Sequence, residues 1–139
     1  MDAVLADIDD WFSTTIFAPL EQARDPLSAI RSMIEEVTAY FRSGGRVCLV
    51  GWVSLGSSGN AFTHQSRRYF ARWVAALARC LEVGHVPHPL AVSLAEEMVA
   101  GIQGAIILSR ALGDEAAFSR IIRRHEAILL DAMTDNAAS

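Results

Sequence analysis

Few residues in this sequence stand at spacings that could do chemistry. Glu82-Val-Gly-His85 has the Glu-x-x-His form with which helical bundles hold di-iron centres, but such a centre needs two of these units and two further carboxylates. There is one unit here, across a helix-ending glycine, so no metal is expected. Glu96 and Glu97 are adjacent and point about 100° apart on a helix, which makes them no acid/base pair. The segment from Gly51 to Gly56 holds Ser54 but lacks the G-x-S-x-G form of a nucleophile elbow. The chain has no Lys; its twelve basic residues are all Arg. That excludes a lysine Schiff base and a P-loop lysine. A net charge of −4 argues against a nucleic-acid-binding surface. Cys48 and Cys80 lack C-x-x-C spacing and read as reduced core cysteines. His125 falls on the apolar face of the last helix and reads as a core or interface histidine with a hydrogen-bond partner. His64 opens an aromatic-rich helix, either as a polar group in a pocket or as an exposed one. The reading is no enzyme and no cofactor.

The elements that would position these residues are all helical. Asp2 to about Phe17 forms a first helix, with Trp11, Phe12, Thr15 and Ile16 on its apolar face. It starts abruptly, as if something upstream had been cut away, and its acidic start is no signal peptide. Ala18 to Ala23, containing Pro19, reads as a connector. Asp25 caps a second helix with Pro26 at its first position, running to about Ser43. Val47 to Leu55 has the β-propensity of a strand but would be a strand without a partner, so it reads rather as a short buried helix, with Gly56 to Gly59 as a loop. Asn60 to Val83 is strongly amphipathic, with Arg68, Arg72 and Arg79 on an outward, solvated stripe. Leu90 to Leu112 is the organising helix, opened by Pro89 and closed by Gly113. Asp114 caps a last helix to about Met133, and the tail frays.

The hydrophobic fraction is 52% and the mean hydropathy +0.26, high for 139 residues. No apolar run reads as long enough for the ~18 residues of a membrane span. The excess therefore points to an oligomer interface or a ligand pocket. The Leu90–Leu112 helix carries two apolar stripes, more than one neighbour can cover. Gly101 and Gly104 each cost roughly 1 kcal/mol against Ala, which the close approach of another backbone would explain. Pocket candidates lie on inward stripes: Trp11 and Phe12; Met33, Val37, Tyr40 and Phe41; Phe62, Phe70 and Trp73; and Met98. Cys48 and Trp52 join them from the intervening segment. Tyr40, His64 and Gln103 are the polar groups that would fix a ligand. Replacing Trp73 by Ala is expected to weaken ligand binding and leave a dimer intact.

A set of motifs follows in order: Gly45 to Gly51 as G-x-x-C-L-x-G, Phe70 to Trp73 as F-x-x-W, Val83-Gly-His85, and the run from Leu94 to Ala111. This combination resembles the C-terminal regulatory domain of TetR-family transcriptional regulators, the LmrA/YxaF-like branch in particular. The resemblance covers nearly the whole chain. Where that branch often has a polar or acidic residue after the Gly-Cys segment, this chain has Trp52, Val53 and Leu55, so the pocket it implies is more apolar. The resemblance implies an all-α bundle of five to six helices forming one domain over residues 1–139. Residues 1–17 resemble the helix that joins such a domain to a helix-turn-helix head, which this chain lacks. It further implies a cytoplasmic homodimer that binds a small hydrophobic effector and represses transcription, reaching DNA only through that head and no membrane. The implied dimer interface takes Leu94, Met98, Gly101, Ala105 and Leu108 from one helix. Phe118, Ile121, His125, Ile128 and Ala132 come from the last. Two other readings stay open: a helical-bundle enzyme or cofactor carrier using the same pocket, and a bare dimerisation module.

Overall fold

The structure, a computed structural model, describes residues 11–42 and 60–137; for residues 60–66 and 137 only the helical backbone is described. The described residues form helices joined by short turns, with no strand among them. We number the helices α1 (Ala18–Glu21), α2 (Pro26–Arg42), α3 (Asn60–Val83), α4 (His88–Leu112) and α5 (Glu115–Ala137). The expected all-α fold is the observed one. The expected start of the first helix at Asp2, and the short helix and loop at 47–59, lie outside the described residues.

The segment at 18–23 corrects the sequence reading. It is not a connector: the chain is helical from Trp11 through Glu21, with Pro19 inside the helix. A proline there has no N–H, and its ring collides with the carbonyl four residues back. The helix meets this with a wide turn over Ser13–Phe17, in which the Ala18 amide bonds the Ser13 carbonyl five residues back. In such a turn residues i and i+5 come to the same side. Phe12 and Phe17 therefore share a face, their ring centroids 5.9 Å apart, and both are fully buried.

α2 starts as its sequence demands. The Ser28 amide bonds Asp25 Oδ1 at 3.4 Å, and Pro26 sits where no amide partner is needed. Ile30, Met33, Val37 and Phe41 recur at helical spacing and point into the core. α3 ends with paired bonds, His85 N–H to Glu82 O and Val86 N–H to Leu81 O, each 3.0 Å. This is the Schellman arrangement. The left-handed residue it requires is His85, φ 73°, rather than the neighbouring glycine. Gly84 packs against α5: a Cβ there would stand 2.6 Å from Met133 Sδ, so that flexible side chain would have to shift. A non-Gly residue in this conformation costs roughly 1 kcal/mol or more. His85→Gly should therefore raise stability by about 1 kcal/mol, visible as a higher denaturation midpoint at unchanged slope.

α4 is the centre of the bundle, packed most extensively on α5 and α3. It begins at His88, two residues before the expected start. It ends at Gly113, φ 63°, with Asp114 N–H on Ser109 O at 2.9 Å. Asp114 then caps α5 through Ala116 N–H at 3.0 Å and holds Arg120 at 3.1 Å. The Arg120 hydrogen bond holds the Asp114 carboxyl below its ordinary pKa. α5 runs past Met133 to Ala137, so the expected frayed tail is helical this far. One expectation about α4 needs correcting. With a mean hydropathy of 1.5 over its most apolar stretch, this helix is long and apolar enough to cross a membrane by length and composition alone. The central helix of a bundle passes the same test, and Ala91, Ala95, Met98, Ile102, Ala105 and Ile106 of α4 are buried among their own neighbours.

Candidate ligand pocket

Three elements bring aromatic side chains to one place. The wide turn supplies Phe12 and Phe17, α2 supplies Met33 and Tyr40, and α3 supplies Tyr69 and Trp73. The Phe12 ring stands edge-on to Tyr69 at 4.8 Å and tilted to Trp73 at 5.6 Å. Trp11 stacks on Tyr40 at 4.4 Å. Trp73 is fully buried, and its indole N–H donates to Met33 Sδ at 3.4 Å. Each such ring pair adds about 0.5–1.5 kcal/mol beyond the area it buries. A second pair lies apart: Phe41 stacks on Phe118 at 4.4 Å, with the Arg110 guanidinium 5.5 Å from the Phe41 ring.

Of the pocket residues named from sequence, Trp11, Phe12, Met33, Tyr40 and Trp73 meet in the first cluster. Phe70 joins its edge through Tyr69 at 4.9 Å. Val37 is buried beside it on α2; Phe41 belongs to the second pair; Met98 is fully buried on α4. Cys48 and Trp52 lie outside the described residues, as do the side chains of Phe62 and His64. The site reading had left out two rings of the first cluster. Phe17 was hidden by the wide turn, since regular helical spacing from Phe12 puts it on another face. Tyr69 stood on the inward stripe of α3 and needed only to be carried into the list.

Gln103 lies on α4, away from the residues of the aromatic cluster in sequence. Its Nε2 is buried and has no hydrogen-bond partner among the described residues. It stands on one stripe of α4 with Val99, Ile106 and Arg110. Val99 and Ile106 are buried, and Arg110 covers Phe41.

The aromatic cluster is tied at its outer rim. Arg72 grips Glu21 through two nitrogens, at 3.0 and 3.2 Å, and donates to Ser13 Oγ at 2.8 Å. Its guanidinium lies 5.1 Å from the Phe17 ring, and Arg79 donates to the Glu21 backbone carbonyl. Two residues of the expected solvated Arg stripe thus fasten α3 to the wide turn and α1. Arg72 holds the Glu21 carboxyl below its ordinary pKa. That contribution is present at neutral pH and fades as pH falls through the lowered value. Cys80 is buried under the start of α2, its Sγ 3.8 Å from Pro26 O. It is a free thiol, and burial pushes its pKa up to about 11. At pH 8 the native protein should leave Cys80 unmodified by a thiol reagent that labels the unfolded chain at once.

An open groove of about 370 Å³ lies elsewhere, between the start of α2, Gly84, and Leu130, Met133 and Thr134 of α5. None of the pocket residues named from sequence lines it. Among the described residues no three His, Cys, Asp or Glu side chains cluster to hold a metal; Glu82 pairs with His88 at 3.2 Å.

The interface list divides. Leu94, Met98, Ala105 and Phe118 are already covered by their own chain, so they are core and offer no surface to a second copy. Gly101 does not receive a backbone: the His125 ring of α5 lies against it, Cδ2 2.6 Å from where a Cβ would stand. His125 is half-buried there and makes no hydrogen bond among the described residues, contrary to expectation. Ile121 and Ala132 are half-buried against the core. Leu108 and Ile128 are exposed, and so are Ile107 at 47% and Leu112 at 64%. They border Ala100, Ala111 and Gly104, the last with open space beside it.

The described residues thus form a helical bundle with an aromatic interior and exposed apolar residues on its last two helices. Residues 26–124 match the family described as "Transcriptional regulator LmrA/YxaF-like, C-terminal domain", and the chain belongs to this TetR-type family. It is the regulatory domain of a TetR-like transcriptional regulator. No curated protein and no solved structure matches the chain.

Proposed function

We propose that residues 1–139 form a single effector-sensing and dimerisation domain of a cytoplasmic TetR-like repressor. A small apolar or aromatic ligand enters among the rings of Phe12, Tyr40, Tyr69 and Trp73. It displaces the helix that carries Trp11 and Phe12, and that movement controls DNA binding by a helix-turn-helix head. The observation that carries this reading is the aromatic cluster, which joins the 11–21 helix to α2 and α3 at one point. A ligand that parts these rings has to move that helix.

The second copy packs on the strip of Ala100, Gly104, Ile107, Leu108, Ala111 and Leu112, extended by Ile128 of α5. Gly104 and the alanines let two α4 helices approach closely. An obligate interface of this kind commonly buries ~2,000 Å² or more. The test has two arms. Sedimentation equilibrium should give a dimer at micromolar concentration that Leu108→Glu splits. Titration with hydrophobic aromatics should quench Trp fluorescence saturably and raise the melting temperature, since binding to the native state alone stabilises it. A monomer sinks the dimer. A dimer that no aromatic or cationic compound quenches or stabilises leaves a bare dimerisation module in place of a sensor.

A further inference from the structure

The methionines among the described residues are not alike. Met33 and Met98 are sealed in the core at 2% and 0% exposure, and Met33 Sδ also takes the Trp73 N–H. Met133, near the end of α5, is only half-buried and lines the open groove beside the start of α2. Oxidation of a sulfur follows its exposure, so Met133 is the one of the three that an oxidant in solution can reach. It also covers a turn. Its Sδ and Cγ pack on Gly84, 2.6 and 3.0 Å from where a Cβ would stand. The Gly84 amide bonds Cys80 O at 3.2 Å, and the next residue, His85, holds the left-handed conformation at the end of α3. One side chain thus closes the α3–α4 turn on one side and borders the groove on the other.

We propose that Met133 is a modification site for peroxides, and that its oxidation frees the end of α5 from the α3–α4 turn. The sulfur lone pair takes one oxygen of hydrogen peroxide, the O–O bond breaks, and the other oxygen leaves as water with both protons. Sulfur is oxidised by two electrons and the peroxide is reduced by two. The sulfoxide turns a flexible apolar side chain into a polar one. Its oxygen is a hydrogen-bond acceptor, costly to leave unpaired in an apolar contact. The polar side chains next to it on α5 already donate to their own helix, Thr134 to Leu130 O and Asn136 to Ala132 O. The open groove, lined also by Arg31, is where a donor or solvent meets the new oxygen. The side chain therefore turns from Gly84 into the groove and uncovers the turn. A thiol-dependent sulfoxide reductase returns the sulfur to the thioether, so the step is reversible.

The test treats the full chain with dilute hydrogen peroxide and follows each methionine by peptide mass spectrometry. Met133 should form sulfoxide at least about tenfold faster than Met33 and Met98, which react only when the core opens. In urea the three should react alike. The oxidised wild type should melt about 2–8 °C lower, with faster amide exchange over residues 82–86 and 130–137. A methionine sulfoxide reductase with dithiothreitol should restore both. Met133→Leu should melt close to the untreated wild type and ignore the treatment. Met133→Gln, polar at the same length, should melt lower with no peroxide present. Equal oxidation rates in the native chain overturn the modification site. A sulfoxide at Met133 that leaves melting and exchange unchanged overturns its effect on the turn, as does a loss of stability that Met133→Leu shares under peroxide. Should Met133→Leu fail to fold, reversal by the reductase on the wild-type chain decides alone.

Discussion

Trp73→Ala should lower the unfolding free energy by about 3–5 kcal/mol, the range for truncating a large aromatic in a packed core. Trp73 is fully buried, touches the rings of Phe12, Phe17 and Tyr69, and gives its N–H to Met33. All of these contacts end together, and the cavity left is walled by rings that cannot collapse into it. Domains of this size are typically stable by only ~5–15 kcal/mol, so the variant should sit near the edge of folding. Urea denaturation checks this, with Trp11→Ala as the contrast. Trp11 is half-buried and stacked on Tyr40, and its loss should cost about 1–2 kcal/mol. A Trp73 variant as stable as the Trp11 one would show that the cluster is loosely packed. The sequence reading took Trp73→Ala as a clean probe of ligand binding. Its place in the core makes it a probe of folding first.

Gly101→Ala should destabilise by about 1–3 kcal/mol, the usual effect of overpacking, although Ala is the better helix former by roughly 1 kcal/mol. The added methyl would occupy the space of the His125 ring, which must swing out of the seam between α4 and α5. His125→Ala alone should cost less, since the ring is only half-buried. The double variant should recover most of the loss, because the methyl then fills what the ring vacates. A double-mutant cycle by chemical denaturation reads this coupling. Additive single effects would mean that ring and glycine do not meet.

How far the fold could be read from sequence differs from element to element. The start of α2 was legible because Asp25 and Pro26 make it locally, and the end of α4 because Gly113 supplies the left-handed residue. The span of α3 was legible from its amphipathic spacing. α1 was not. Pro19 is a strong signal against a helix, and nothing nearby announces that a wide turn will absorb it. The same turn took Phe17 out of the site. On α4 the difficulty was of another kind. A helix apolar on two sides does not say which side meets its own chain. Met98 and Ala105 had the appearance of interface and are core, whereas Ala100, Gly104 and Ile107 interrupted the polar face and form the uncovered strip. Phe118 was drawn inside by its stacking on Phe41, a contact between segments far apart in sequence. Gln103 was named for being polar on an apolar helix; that its donor is orphaned only the packing could tell.

The wide turn at Ser13–Phe17 has one further consequence. It holds one residue more than an α-helical path between the same ends, so it acts as an insertion kept within a helix instead of looped out. Pro19 fixes the turn from below, and Arg72 bridges it from Ser13 to Glu21. Deleting one residue here is therefore a change of phase more than a loss of contacts. Trp11 and Phe12 would turn by about 100° and draw in by about 1.5 Å, while α2 to α5 stayed where they are. Length variation among related chains at this point would then be a way to re-aim what lies upstream without rebuilding the bundle.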